Sequence, residues 1–502
     1  MNGANEISPH LPSVLPGTAL SRTGHEGFVT PAGGVDVVMK AKLLVVVCLY
    51  LAALLWAYAT IVVPGYGYEG FALRWPNAVQ VAWLVAITLL PVLFLPGSSS
   101  RPSVLVLWWL YLTVYIPSIM VPALSLSTPS ERLLPLQLTL LLCMGILSWA
   151  SSTHRLLSIG KIAVSPALFW SVFWTMWVVG LGTVIGLAHF SSLVGNITSL
   201  FHGADEYTIR GKYIDLGGEF PFLGYIEGQV TQALNPFLMA FGLRYRNRAC
   251  LLAGIAGQIV TFSLTGFKAS VASIAFLYLL SVFIRRWRRS LGLALASGLM
   301  IAVVGSTVFD RATDTIFFTH VFTRRTVLTP GLLTGFYFEH YSQVPHAGLG
   351  VHFSWSRDER VLTPPNEIGF AYFDDANVNA NANLWAEGYA EIGLLGMVLY
   401  TVVWGLAMWL YDSVAAGRDP TMAMLQVAMP AAEVSNTLPS TVLVTHGGLA
   451  AALVLYFAPL SKPSEAAAPR LSREYIDQNA GNGTIIDLGR FSDRHTRYPS
   501  TS

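Results

Sequence analysis

Charge is what this sequence has least of: Asp, Glu, Lys and Arg together make up 12% of its 502 residues, about half the share in an ordinary globular chain. Too few charges remain to coat a soluble surface. The 30 Lys and Arg against 28 Asp and Glu leave a formal net charge of +2, so no basic field draws in a polyanion and a nucleic-acid-binding role is excluded. Cysteine is scarce as well. Cys48, Cys143 and Cys250 fall in or at the ends of apolar runs, which argues against a disulfide framework or a cysteine metal centre. No zinc-ligand spacing, P-loop or dinucleotide fingerprint occurs. The reading is of a chain that uses no metal and no cofactor and draws no energy from ATP.

Apolar length is what the sequence has instead. Hydrophobic residues reach 53%, mean hydropathy is +0.54, and runs of about twenty apolar residues, long enough to span a bilayer core, recur along the chain. They lie at 43–63, 77–96, 104–124, 133–150, 166–188, 222–243, 250–265, 269–284, 291–309, 386–410, 421–437 and 442–459. The pattern predicts an all-α polytopic membrane protein of about 12 transmembrane helices. The first, beginning at Leu43, lacks the form of a cleavable signal peptide and reads as an uncleaved helix. Between the ninth and tenth helices, 310–385 is too long for a plain connection and is expected to form a large outer loop. The segments 1–42 and 461–502 are expected to be disordered. Asn196 and Asn482 stand in Asn-x-Thr triplets, a pattern too common to carry weight.

Positive charge sorts the connections, because Lys and Arg concentrate in cytoplasmic loops. Alternate connections hold Lys40 and Lys42, Arg101, Arg155 and Lys161, Arg244 to Arg248, Arg285 to Arg289, and Arg418. These are expected to face the cytoplasm, together with both termini. The short connections between them carry only Arg74, Arg132 and Lys268, and the long ones, 189–221 and 310–385, translocate whatever their charge.

The charges that do not set topology are the informative ones, since each is costly near lipid unless paired or hydrated. One group lies at Ala204-Asp205-Glu206-Tyr207-Thr208-Ile209-Arg210-Gly211-Lys212-Tyr213, another at Arg324-Arg325, and a third at Phe336-Tyr337-Phe338-Glu339-His340-Tyr341-Ser342. Arginine offers phosphate a planar fork of donors and lysine a point charge, so Arg210, Lys268, Arg324 and Arg325 are candidates for a lipid-linked diphosphate. The competing reading is pairing with the chain's own carboxylates. His320, His340 and His346 fall in the large loop, where a neutral imidazole can take a proton from a sugar hydroxyl. His340, set among aromatic residues suited to stacking on sugar rings, is the foremost of the three. Asp374 to Asn383 has closely spaced side-chain oxygens but lacks the Gly and Glu of a calcium loop, and reads as a polar turn. Within the helices charge is sparse, chiefly Glu227, Glu391 and Glu433; these and His446 are read as packing groups.

Several of these segments in order resemble the Wzy-type O-antigen polymerases. They are Tyr115-Ile116-Pro117 to Val121-Pro122, Tyr207-Thr208-Ile209-Arg210, Thr265-Gly266-Phe267-Lys268-Ala269-Ser270, Arg324-Arg325 with Pro330-Gly331, Tyr337 to Pro345, and Ala380-Asn381-Ala382-Asn383-Leu384-Trp385-Ala386-Glu387-Gly388-Tyr389 to Gly396. Arg324 and Gly335 also match an arginine and a glycine with ten residues between them that describes some members, whereas the same spacing from Arg210 ends at Pro221. The resemblance implies a GT-C-like membrane enzyme of the bacterial inner membrane, a metal-independent glycosyltransferase that joins undecaprenyl-diphosphate-linked oligosaccharide repeats at the periplasmic face. It implies that Arg210, Lys268, Arg324 and Arg325 hold the donor diphosphate, that His340 or Glu339 is the base, and that Tyr207, Tyr337, Tyr341, Asn381 and Asn383 meet the sugars. Membrane lipid and a polysaccharide co-polymerase that regulates chain length are the partners it implies. O-antigen ligase, and a transporter or flippase of lipid-linked oligosaccharide, are the alternative readings.

Overall fold

A computed structural model describes residues 37–97, 101–153, 156–160, 162, 164–187, 206–287, 290–349, 351 and 362–459, with side chains described from 209 in the helix that begins at Glu206. Residues 1–36, 188–205 with Asn196, 460–502 with Asn482, and the Tyr207 side chain lie outside that description; residues 37–42, expected to be disordered, instead form the first turns of a helix. Among the described residues every regular element is a helix and none is a strand. In chain order they are α1 Val37–Glu69, α2 Ala78–Phe94, α3 Pro102–Ser125, α4 Ser130–Ser152, α5 Pro166–Leu187, α6 Glu206–Glu219, α7 222–245, α8 Arg248–Thr265, α9 Lys268–Trp287, α10 Leu291–Thr313 and α11 319–341. Then come α12 Pro364–Phe373, α13 Leu384–Ile392, α14 Leu394–Ala415, α15 Pro420–Glu433, α16 Pro439–Val444 and α17 Gly448–Phe457. Eight of them, α1, α3, α4, α5, α8, α9, α10 and α14, are long and apolar enough to cross a membrane. The chain is a multi-pass, all-helical membrane protein.

Four helices contain wide, π-type turns: Tyr58–Val62 in α1, Tyr111–Tyr115 in α3, Val230–Leu234 in α7 and Thr319–Leu328 in α11. Each is followed, two residues on, by a proline: Pro64, Pro117, Pro236 and Pro330. Proline has no N–H for the carbonyl four residues back and its ring presses on that carbonyl, so the preceding turn opens. Pro91, Pro122 and Pro430 also lie inside helices with no wide turn directly before them, so proline permits the wide turn without imposing it. Two carbonyls ahead of prolines accept from tyrosine. Tyr115 donates to the carbonyl of Ile87, four residues before Pro91, at 2.8 Å. Tyr50 donates to Leu112 within the wide turn of α3 at 3.0 Å. These buried O–H groups bind α1, α2 and α3 to one another where lipid offers no partner.

The stretch between α10 and α14 differs from a plain loop. Its helix α11 is buried on all sides from Pro330 to Phe338 and lies against α3. Gly331 makes that approach possible: a Cβ there would stand 2.4 Å from the Pro117 carbonyl oxygen, and one on Gly335 would meet Leu126 and Pro122 at 3.1 Å. The expected span 386–410 is also divided. Gly393 has φ +69°, a backbone that favours glycine, and turns α13 back on α14. Gly388 and Gly396 face each other there, so close that a Cβ on Gly396 would lie 1.9 Å from the Gly388 carbonyl.

Contacts between helices define two ends of the bundle. At one, the Ser103 hydroxyl donates to Asp412 at 2.6 Å and Arg244 pairs with Asp419 at 2.7 Å. Lys40, Arg101, Arg248, Arg285 and Arg418 belong to helix ends on that side. At the other, the Arg74 amide donates to the Leu124 carbonyl at 2.9 Å, Thr128 donates to Glu339 at 2.7 Å, and Arg324 pairs with Glu69. The candidate site lies at this second end.

Candidate functional site

The wide opening of α11 is pinned by Asp310 in the last turn of α10. Its carboxylate accepts from the amides of Phe318 and Thr319 at 3.1 and 2.6 Å and from the Thr315 hydroxyl at 2.9 Å. Negative charge at a helix N-terminus is stabilising, and here it fixes which way the first turns of α11 face.

Those turns carry His320 and Arg324, four residues apart, against the end of α1. The His320 ring stacks on Tyr66 with centroids 5.2 Å apart and planes 28° from parallel. The Arg324 guanidinium lies 4.3 Å from the centre of the same Tyr66 ring and pairs with Glu69. Arg324 is nine-tenths buried. Beside it, among the described residues, two buried nitrogens have no hydrogen-bond partner: Arg324 Nε and His320 Nδ1. Arg325, its neighbour, is exposed.

Two more of the sequence candidates join this group. Burial first, then the positive charges of Arg324, Arg325 and Lys268, hold His320 below the ordinary histidine value; the ring is neutral at pH 7. Lys268 opens α9 directly after Phe267, and Phe267 carries the Arg210 guanidinium 5.1 Å from its ring centre. Phe267 is held by an edge contact with Tyr213 at 5.7 Å and by the Thr265 hydroxyl, which accepts from its amide at 3.2 Å. Arg210, Lys268, Arg324 and Arg325 therefore form a linked cationic end, with His320 inside it. Sequence reading had given His320 no special place among the loop histidines; its i, i+4 relation to Arg324 was the available signal.

The other candidates form a separate group at the far end of α11. His340 Nε2 lies 2.9 Å from Glu367 Oε1, and the Tyr341 hydroxyl donates to Glu367 Oε2 at 2.8 Å. Glu339 accepts from Thr128 at 2.7 Å and from Tyr372 at 3.1 Å. Burial and then the adjacent carboxylates raise both Tyr341 and Tyr372 above the usual phenol range, so each remains a donor. Tyr337 is fully buried and donates to the Ala380 carbonyl at 3.1 Å and to Glu387 at 3.3 Å. Asn383 is fully buried, caps α13 through the Trp385 and Ala386 amides, and donates to Thr334 at 2.7 Å. Asn381 is exposed.

Two expectations need correction. Tyr337, Tyr341 and Asn383 are buried, use their polar side-chain atoms on the protein and present none to a sugar. His340 and Glu339 follow Arg324 by sixteen and fifteen residues on one helix, on the order of 20 Å at a rise of about 1.5 Å per residue. Neither shares a reacting atom with a phosphate held by Arg324. Among the described residues no group of His, Cys, Asp and Glu is arranged to hold a metal. No protein-family model, curated protein or solved structure matches the chain.

Proposed function

We propose that this protein polymerises undecaprenyl-diphosphate-linked oligosaccharide repeats into O-antigen or a related surface polysaccharide. One observation carries the reading: Arg324, Arg325 and Lys268 converge on a neutral histidine at one end of a membrane bundle, with buried donors beside them left without partners. A diphosphate leaving group needs positive charge more than it needs an acid. In the reaction an acceptor hydroxyl oxygen bonds to the donor's anomeric carbon as the bond from that carbon to the diphosphate oxygen breaks. The electron pair leaves with the diphosphate, held by Arg324, Arg325, Lys268 and Arg210. The hydroxyl proton passes to His320, the group in this cluster with a free lone pair at neutral pH. His340, farther along α11, and the exposed Asn381 before α13 hold the glycan away from the bond being made.

The same reading gives the chain twelve crossings in a GT-C-like arrangement in the bacterial inner membrane, with α2, α7, α15 and the broken pair α16 and α17 completing the eight long helices. Lys and Arg gathered at the opposite end of the bundle support cytoplasmic termini and a periplasmic cluster. A co-polymerase that sets chain length belongs to this reading as a partner. Deleting the gene in its host tests it. A single repeat on lipid A is the expected result. Accumulated lipid-linked polymer with no attached chain indicates a ligase, and absence of any outward-facing lipid-linked repeat indicates a flippase.

A further inference from the structure

Arg324 is already occupied. Its partner, Glu69, lies in the short turn Gly67–Glu69 that closes α1, and the Glu69 side chain keeps 23% of its surface exposed while that of Arg324 keeps 10%. The turn itself is fixed. Gly70 follows with φ +98°, and a Cβ there would stand 2.5 Å from the Phe336 ring, on the same helix that carries Arg324. Glu69 therefore leaves Arg324 by rotating its side chain, without moving the backbone. What surrounds the pair is unfinished: among the described residues Arg324 Nε and His320 Nδ1 have no partner, and neither is satisfied by Glu69.

We infer that Glu69 is a resident anion that an incoming phosphate must displace from Arg324, and that this competition weakens the binding of every phosphate ligand by the same factor. This rests on the anion-binding reading of the cluster. A buried guanidinium without a counter-charge is costly, so in the empty site Glu69 supplies one. A monophosphate replaces one carboxylate with one phosphate and gains little. A diphosphate places a second anionic group where the unpartnered donors and the Arg325 charge stand, and so outweighs Glu69 through interactions that the carboxylate does not make.

The test is competition binding to the full chain in lipid nanodiscs, with farnesyl diphosphate and farnesyl monophosphate as probes. Wild type is expected to prefer the diphosphate. Glu69→Gln is expected to tighten both probes about tenfold, one decade being about 1.4 kcal/mol, and to leave the preference between them unchanged. Glu69→Asp, which keeps the charge on a shorter arm, is expected to tighten both probes by less, and gives a reading should Glu69→Gln fail to fold. Arg324→Ala is expected to weaken both probes. If Arg324→Ala binds both probes as wild type does, the anion site itself is wrong. If Arg324→Ala weakens binding but the Glu69 variants bind neither probe tighter than wild type, the site stands and the role given to Glu69 falls.

Discussion

Tyr66 and Arg324 meet face to charge, the guanidinium 4.3 Å from the ring centre, and the pair joins the end of the first long helix to a helix more than 250 residues later. Substitutions at Arg324, His320 and Pro330 test what that contact and its surroundings do.

Arg324→Lys keeps the charge but loses both the planar stack on Tyr66 and the fork of donors. We expect polymer synthesis to fall by more than tenfold, at about 1.4 kcal/mol per decade, with Tm in detergent close to wild type. Arg324→Ala is expected to lower both, because Glu69 is left without its partner. Chain-length profiles at matched expression, read beside Tm, separate the two.

His320 gives a pH signature whose sign is determined. Its folded value is below that of the unfolded chain, about 6.5, so its contribution to stability is full above about 6.5 and is lost as pH falls through the folded value. Activity should fall over the same acid range as the base becomes protonated. His320→Gln should lose most activity at every pH and flatten the acid limb of Tm below about pH 6.5. A Tm profile identical to wild type would remove His320 from this role.

Pro330→Ala restores an N–H opposite the Thr326 carbonyl and allows the wide turn of α11 to tighten. Closing it rotates His320 and Arg324 relative to Tyr66. We expect activity to be lost while Tm stays level or rises, a combination that simple destabilisation does not produce.

Gly331→Ala drives a methyl into the Pro117 carbonyl, 2.4 Å away, and is expected to cost about 1–3 kcal/mol as an overpacked contact. Gly305→Ala in exposed α10 meets nothing within 4 Å and is expected to be neutral or stabilising by up to about 1 kcal/mol. Thermal unfolding in the same detergent compares them directly.

Most long helices were legible because lipid demands unbroken apolar runs. The helix α11 was not. Its charges, His320, Arg324, Arg325, Glu339 and His340, made 310–385 look like a loop, and the partners that allow several of them inside, Glu69, Thr128 and Glu367, are remote in sequence or follow later in the same stretch. The cations were recoverable as a set, since scarcity of charge singled them out. Their separation from His340 was not, because it depends on α11 being one continuous helix. The wide turns left a mark that goes unread without a structure: a proline two residues beyond each.

Tyr115 and Pro91 carry a consequence for how such a chain changes over time. The Ile87 carbonyl is free because of Pro91 and quiet because of Tyr115. Replacing Tyr115 by Phe strands an acceptor in an apolar interior, whereas losing Pro91 as well lets an ordinary amide reclaim it. The two positions should therefore covary across descendants of this sequence, with tyrosine dispensable wherever proline has gone. A library randomised at both codons should recover that dependence as a correlation between survivors.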